Sequence, residues 1–503
     1  MMLRATIFSG LAILVLGCHR LAGPPEVVVA MEGEIVTLDP HRHDDNITFS
    51  VLANIYDGLV QFDSKMSIVP ALAQSWENPD SLTWVFHLRP GVKFHNGRML
   101  TARDVVFSLE RARDGQLRSY LATEAYLRAV DSLTVEIRTR QPSAILLNKL
   151  TFIAIVPEGS PAAITFPIGT GPYRFVDYKR GQGIWLRSFD DCWAGRPAIG
   201  QAIIRFIPST SQRIEALISH QVDLIREVFG RGRESLLRDT TVAVVEEMGL
   251  GVAMLGCDLK RPGPLRNRLV RQAIYWSIDA EEILKATNTS GIPANQFVSP
   301  LVVGYHNDLG SQWRHPQLDR ARSALQRSGY RRPLHLDLDL LGNQPSTLGS
   351  IIVRQLAVVG IELHLRGYDW PTLSARIDSS RSPFFLASWS CSSGDASDFF
   401  ESCLHTRDGS EYGACNWGRY SNPKLDRLIE RCGRILDSKR RIADLQRCTM
   451  MACEDMPVIP LFVRKRTYGV CRSLAFVPRL DGRIRLSELA WLWPHDRKGI
   501  KLR

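Results

Sequence analysis

The stretch SLTWVFHLRPGVKFHNGRMLTARDVVFSLERAR, residues 81–113, changes its hydrophobic period twice, and turn chemistry punctuates each change. Leu82, Trp84, Phe86 and Leu88 alternate with Thr83, Val85 and His87, the period-2 pattern of a half-buried strand. Arg89-Pro90-Gly91 turns the chain, Val92 and Phe94 mark a second short strand, and Asn96-Gly97 is a tight turn. Thr101 followed three residues later by Asp104 is a capping-box pattern, opening a helix whose apolar positions are Val105, Val106, Leu109 and Ala112.

A hairpin followed by a capped helix occurs in many folds, but the complete string is far more specific. It resembles the signature region of the large extracytoplasmic solute-binding proteins of ABC transporters, family 5, which includes oligopeptide, dipeptide and nickel binders. PALAQSW (residues 70–76), GTGPY (169–173), LVRQAIYWSID (269–279) and YSNPKLDRLIER (420–431) extend the resemblance along the chain. It implies an α/β, two-lobed periplasmic-binding-protein-like fold of type II in its large form, with a small extra subdomain on the first lobe. The expected division is 27–50, 165–255 and 465–503 for the first lobe, 51–164 for the extra subdomain and 256–464 for the second lobe.

Length and composition agree with such a protein. A chain of 503 residues is long enough for two or three domains with substantial cores. With 45% apolar and 23% charged residues, it has the makeup of a globular protein rather than a disordered one. The net charge of +11 admits acidic partners. Lys and Arg are nevertheless spread along the chain without a recognition motif, so nucleic acid is not an expected partner.

Residues 1–17 read as a signal peptide: a short positive end, an apolar run over 7–16 and then Val15-Leu16-Gly17-Cys18, which resembles a bacterial lipoprotein signal. The apolar run is too short for a comfortable membrane span. The resemblance implies cleavage before Cys18, lipid on its thiol, a lipidated leader over 18–26 and a periplasmic or extracytoplasmic protein tethered to a membrane. No other uninterrupted apolar run reaches about 18 residues.

Between the landmarks, helices and strands alternate. Residues 48–59 and 120–130 carry helical patterns, 133–137 a strand. In the second half, helices at 318–328 and 351–359 are each followed by a strand, at 334–340 and 361–365, which favours an α/β lobe over a bundle or sandwich. The chain is expected to cross to the second lobe near 249–257. Two such lobes around a cleft can close about a hinge.

Ligand clues concentrate in FFLASWSCSSGDASDFFESC, residues 384–403. A strand ends near Trp389 and a polar loop follows, which the resemblance places in the cleft. Trp389 either stacks on a ligand and closes the apolar wall of the pocket or is purely structural. In dipeptide binders an acid three positions after the matching tryptophan holds the ligand's ammonium group; this chain has Ser392 there. A hydroxyl cannot replace a carboxylate's charge-assisted bond to an amine without loss of selectivity. Asp395 either supplies the missing acid or stabilises the loop. The resemblance also places the loop after Asp39 at the cleft, so Asp39 and His41 join Asn416 and Trp417 as candidate ligand contacts.

Ten cysteines leave nine besides Cys18, so they cannot all pair internally. Cys403 and Cys415 bracket a polar loop that the family resemblance closes with a disulfide, and export would permit one. There is no CxxC pair, and His41, His43 and Asp44 alone do not make a metal centre, so no metal or cofactor is assigned. The GTGPY run lacks the GK[ST] of a P-loop, and GxSxG, HExxH and kinase signatures are absent from the sequence. The expectation is a non-enzymatic, monomeric substrate-binding lipoprotein. It would capture a peptide-like solute, with metal chelates, haem, opines or oligosaccharides as alternatives, and deliver it to a membrane permease backed by ATPase subunits.

Overall fold

The computed structural model describes residues 26–121, 124–228, 230–310, 313, 316–331, 333–342, 346–409 and 412–492. The signal segment, Cys18 and the basic tail at 497–503 lie outside the described residues. Helices and strands alternate around two lobes that share one mixed sheet. Among the described residues this sheet has eleven strands. In spatial order they are Ile361–Tyr368, Leu334–Leu341, Phe384–Ser390, Val242–Cys257, Val458–Cys471, Leu224–Arg226, Glu26–Met31, Gln201–Phe206, Gly183–Ser188 and Tyr173–Lys179, with Gly291–Pro293 paired to the side of Val458–Cys471.

Two long strands join the lobes. Val242–Cys257 and Val458–Cys471 run antiparallel from Val242 opposite Cys471 to Gly256 opposite Val458. Their register shifts between Met248 and Val252, where Gly249 and Gly251 interrupt the β-branched pattern. A Cβ on Gly249 would sit 2.6 Å from the Arg464 carbonyl oxygen, so the partner strand comes too close there for any side chain. On one side of the bulge the sheet is covered by Val27, Val29, Tyr173, Ile204 and Val470, and on its opposite face by Leu217, Ile225 and Leu236. On the other side the core of the second lobe gathers Val270, Ile274, Leu338, Ile352, Phe399, Leu425, Cys448 and Cys453. Cys432, Cys448 and Cys453 are fully buried helix residues.

The opening stretch builds a separate four-stranded sheet, ordered Ala73–Glu77, Thr83–Leu88, Thr134–Thr139, Glu124–Ala129. Phe86 and Leu88 pack against Val105 and Leu109 of helix Ala102–Arg113, so the alternating and helical faces meet in one core. The capping box of Thr101 and Asp104 is formed. Gly97 adopts φ +85°, the left-handed conformation that its turn requires. Three local readings need correction. Residues 92–94 form no strand, only an isolated bridge between Lys93 and Met99. The helical pattern over 48–59 shrinks to helix Asn46–Leu52. The helix expected over 120–130 is instead a single 3-10 turn, Arg118–Leu121, followed by strand Glu124–Ala129, because the free edge of Thr134–Thr139 supplies backbone partners.

Candidate ligand-binding cleft

Strand Phe384–Ser390 brings Trp389 to the boundary between the lobes, paired with Val252 beside the bulge. The chain then turns through Gly394 at φ +73°. Asp395 fixes the next turn. Its Oδ1 accepts from the Ser397 N–H at 2.9 Å and from the Ser397 hydroxyl at 2.7 Å, starting the short helical run over 397–404. This run presents Asp398 and Glu401 to a cavity of about 250 Å³. Trp389, Ser393 and Cys415 share that wall, and Asp44, Gln116, Tyr120, Ile145 and Lys149 form the wall opposite.

The two walls touch. Asn148 donates from its side-chain amide to the Ser393 carbonyl at 2.8 Å, and the Ala144 N–H donates to the Gly433 carbonyl at 2.9 Å. Lys149 lies 3.9 Å from Glu401. The lobes are therefore in contact around the cavity. Its charged lining is mainly acidic, with Asp44, Asp398, Glu401 and Glu430 set against Lys149 and Arg434.

Asp398 stands apart among these acids. Its Oδ2 accepts from the Ser393 N–H at 3.2 Å and the Ser393 hydroxyl at 3.0 Å. Among the described residues it has no ion-pair partner. Burial raises its carboxyl to about 6, the Ser393 bonds work against the rise, and the nearby Glu401 and Asp395 charges add to it. Trp389 makes edge contacts with Phe399 at 6.5 Å and Trp417 at 6.4 Å, and its indole N–H is buried without a hydrogen-bond partner. A flat aromatic surface thus adjoins an uncompensated carboxylate in the cleft.

Several expected site residues are engaged elsewhere. Asp395 is buried, and Arg441 occupies both of its carboxylate oxygens at 2.7 Å; of its two readings, the structure supports the loop stabiliser and leaves no free oxygen for a ligand. Asp39 and His41 lie inside the first lobe. Asp39 pairs with Arg111 and accepts from the N–H groups of His41 and Ile164, each at 3.0 Å. His41 donates from Nε2 to the Ala154 carbonyl at 2.8 Å and accepts from Arg111 at Nδ1, 2.9 Å away. Neither residue lines the cleft, since this network turns both inward. Asn416 is likewise a loop pin, giving its amide to the His405 and Tyr420 carbonyls and accepting from the Tyr420 N–H.

Ser392 folds back toward Ser390, to which its N–H donates at 2.8 Å, so Ser393 rather than Ser392 reaches the cavity. Trp417 lies behind Trp389 in an inner apolar recess shared with Phe385 and Tyr420. Cys403 and Cys415 are free cysteines, and the expected bridge is not formed. Burial pushes both thiols up, Cys415 to about 11. Sequence reasoning missed Asp398, Glu401, Tyr120 and Lys149. The signal for Asp398 lay in the run over 384–403, three positions beyond Asp395.

Residues 67–411 match the family model described as "Bacterial extracellular solute-binding proteins, family 5 Middle", more than half of the chain. The chain belongs to the family 5 bacterial extracellular solute-binding proteins. It is 26% identical to Heme-binding protein A of Haemophilus influenzae over 466 residues, spanning 84% of this chain and 82% of that protein. It is 24% identical to the Dipeptide-binding protein of Escherichia coli, spanning 90% and 91% of the two chains. Its fold matches that of the periplasmic binding protein DppA from Helicobacter pylori in complex with peptide STSA, with TM-score 0.80 at 22% identity, covering 93% of this chain and 98% of that one. At that identity the likeness shows the fold alone. Membership in family 5 makes this an extracytoplasmic binding protein rather than an enzyme.

Proposed function

We propose that the protein captures a peptide-like solute in the cleft and delivers it to the permease of an ABC importer. The unpaired Asp398 carboxylate beside Trp389 carries this reading, because it offers a free ammonium group a charge-assisted partner next to an apolar wall. The acidic site that Ser392 cannot provide is thereby moved along the loop to Asp398. Similarity to a dipeptide-binding protein and to a binding protein in complex with a peptide supports the same class.

Solute contacts with both walls stabilise the closed arrangement, in which the lobes present a joint surface to the permease. ATP is consumed by the partner's ATPase subunits. Cleavage before Cys18 and lipidation of its thiol hold the protein at a membrane, and it works as a monomer.

Native mass spectrometry of gently purified protein tests the solute class directly. Retained peptides are the expected result; a retained chelate, haem or sugar overturns the peptide reading. Binding of free against N-acetylated tripeptides then tests the anchor. The free amine is expected to be preferred by at least tenfold, and equal binding removes Asp398 from that role.

A further inference from the structure

A second charged recess opens beside the cleft, on the first lobe. Its cavity is about 40 Å³, enough for a group of a few heavy atoms and too small for a whole peptide. His43, Phe49, Phe152, Arg483 and Arg485 line it. Arg483 places its guanidinium 5.5 Å from the centre of the Phe49 ring and 5.1 Å from that of Phe152. Among the described residues no carboxylate pairs with it. His43 is 1% exposed, contacts Phe49 edge-on at 4.4 Å, and neither of its ring nitrogens has a hydrogen-bond partner.

Arg485 and one oxygen of Asp57 have partners within the chain. Arg485 donates to Ala53 and Gln61. Asp57, the carboxylate on this wall, accepts from the Thr170 hydroxyl at 3.0 Å and from the Trp193 indole at 2.9 Å. A half-buried guanidinium that has no ion-pair partner among the described residues and a buried imidazole, both against one phenyl ring, turn donors toward an acceptor or an anion from outside the chain.

The recess adjoins the cleft. Asp44, next to His43, lines the cleft cavity, as does Tyr120, whose ring lies 4.9 Å from that of Phe152. Tyr120 lies within electrostatic reach of both Asp398 and Arg483.

We infer that the His43–Arg483 recess is a binding subsite for a carboxylate of the solute held in the cleft. This rests on the reading of the cleft as a solute site and sharpens it: the solute carries an ammonium group for Asp398 and an anionic group for Arg483. Arg483 supplies the charge, His43 donates a hydrogen bond from one ring nitrogen, and Phe49 and Phe152 exclude water from the pair.

The probes are a pool of random tripeptides, the same pool as C-terminal amides, and sodium acetate as a free anion. They are tested on the full chain and on Arg483→Gln and His43→Phe, each checked for an intact melting transition. The wild type is expected to bind the acids at least tenfold more tightly than the amides. Arg483→Gln should abolish that ratio while keeping the preference for a free amine, and His43→Phe should reduce it. A ratio unchanged in Arg483→Gln overturns the subsite. Acetate is the arm that does not depend on peptides: it should raise the wild-type melting temperature and leave that of Arg483→Gln unmoved. Tripeptides that bind neither protein sink the peptide reading, and the acetate arm then decides the recess, with no Arg483-dependent shift overturning it. Acetate stabilisation through Arg483 with equal binding of acids and amides means a free-anion site and also overturns the solute carboxylate.

Discussion

Arg441 holds Asp395 by two parallel bonds of 2.7 Å, with both side chains buried in the second lobe. The fork-to-carboxylate geometry is the strongest available to this pair, and it closes the loop that carries Asp398. Arg441→Met strands the buried Asp395 charge and is expected to cost about 3–5 kcal/mol in denaturant unfolding. Adding Asp395→Asn should recover most of that loss. The double variant should still prefer free over N-acetylated tripeptides, because the proposed anchor is Asp398.

Binding at Asp398 has a pH signature. Its carboxyl is raised to about 6, and a bound ammonium group favours the ionised form, so a proton is released on binding at pH 5. Affinity for an amine should rise as pH climbs through about 6 and level off above it. Calorimetry in buffers of different ionisation enthalpy measures the released proton. Asp398→Asn should remove both the proton release and the pH slope.

The same residue affects the empty protein in the opposite direction. A carboxyl raised above its unfolded value contributes stability at low pH that is lost as pH rises through the folded value. Asp398→Asn is therefore expected to melt higher than the wild type at pH 7.5 and to show little difference at pH 4. The gain should be on the order of 1–3 kcal/mol. Equal melting at pH 7.5 would show that the charge has a partner in solution.

Asp39 behaves in reverse. Burial opposes its ionisation, but the Arg111 bond and the two backbone N–H groups outweigh burial and hold its carboxyl below the usual range. Its contribution is present above pH 4 and lost as the pH falls through the lowered value. Asp39→Asn should flatten the acid limb of the stability profile below pH 4 and leave tripeptide binding unchanged, as expected of a residue outside the cleft.

Gly249→Val puts a side chain where the Arg464 carbonyl already lies 2.6 Å from a Cβ. The variant should lose about 1–3 kcal/mol of stability. It should also bind tripeptides more weakly, with a larger radius of gyration by small-angle scattering when they are present.

Much of the architecture is legible in the sequence because period and punctuation agree, as in the capping box at Thr101 and the helix over 268–277. Residues 120–130 mislead because their apolar spacing suits a helix locally, and only the waiting edge of Thr134–Thr139 makes them a strand. The site is harder to read for a related reason. Asp395 and Asp398 lie three residues apart in one polar loop, and nothing local distinguishes the acid that meets Arg441 from the acid that meets the cleft. That choice depends on a helix more than forty positions downstream. His43 and Arg483 are further apart still, brought together only by the return of the chain's last described segment to the first lobe.

Trp389 is bonded in register to Val252, at the end of the bulge where the two long strands change step. The fulcrum and the load of this lever are therefore neighbours on one sheet. Bending the sheet at Met248–Val252 and tilting the aromatic wall are a single displacement, with no loop between them to absorb the motion. A solute that presses on the indole acts on the joint itself, so occupancy and lobe angle should report one another with little slack.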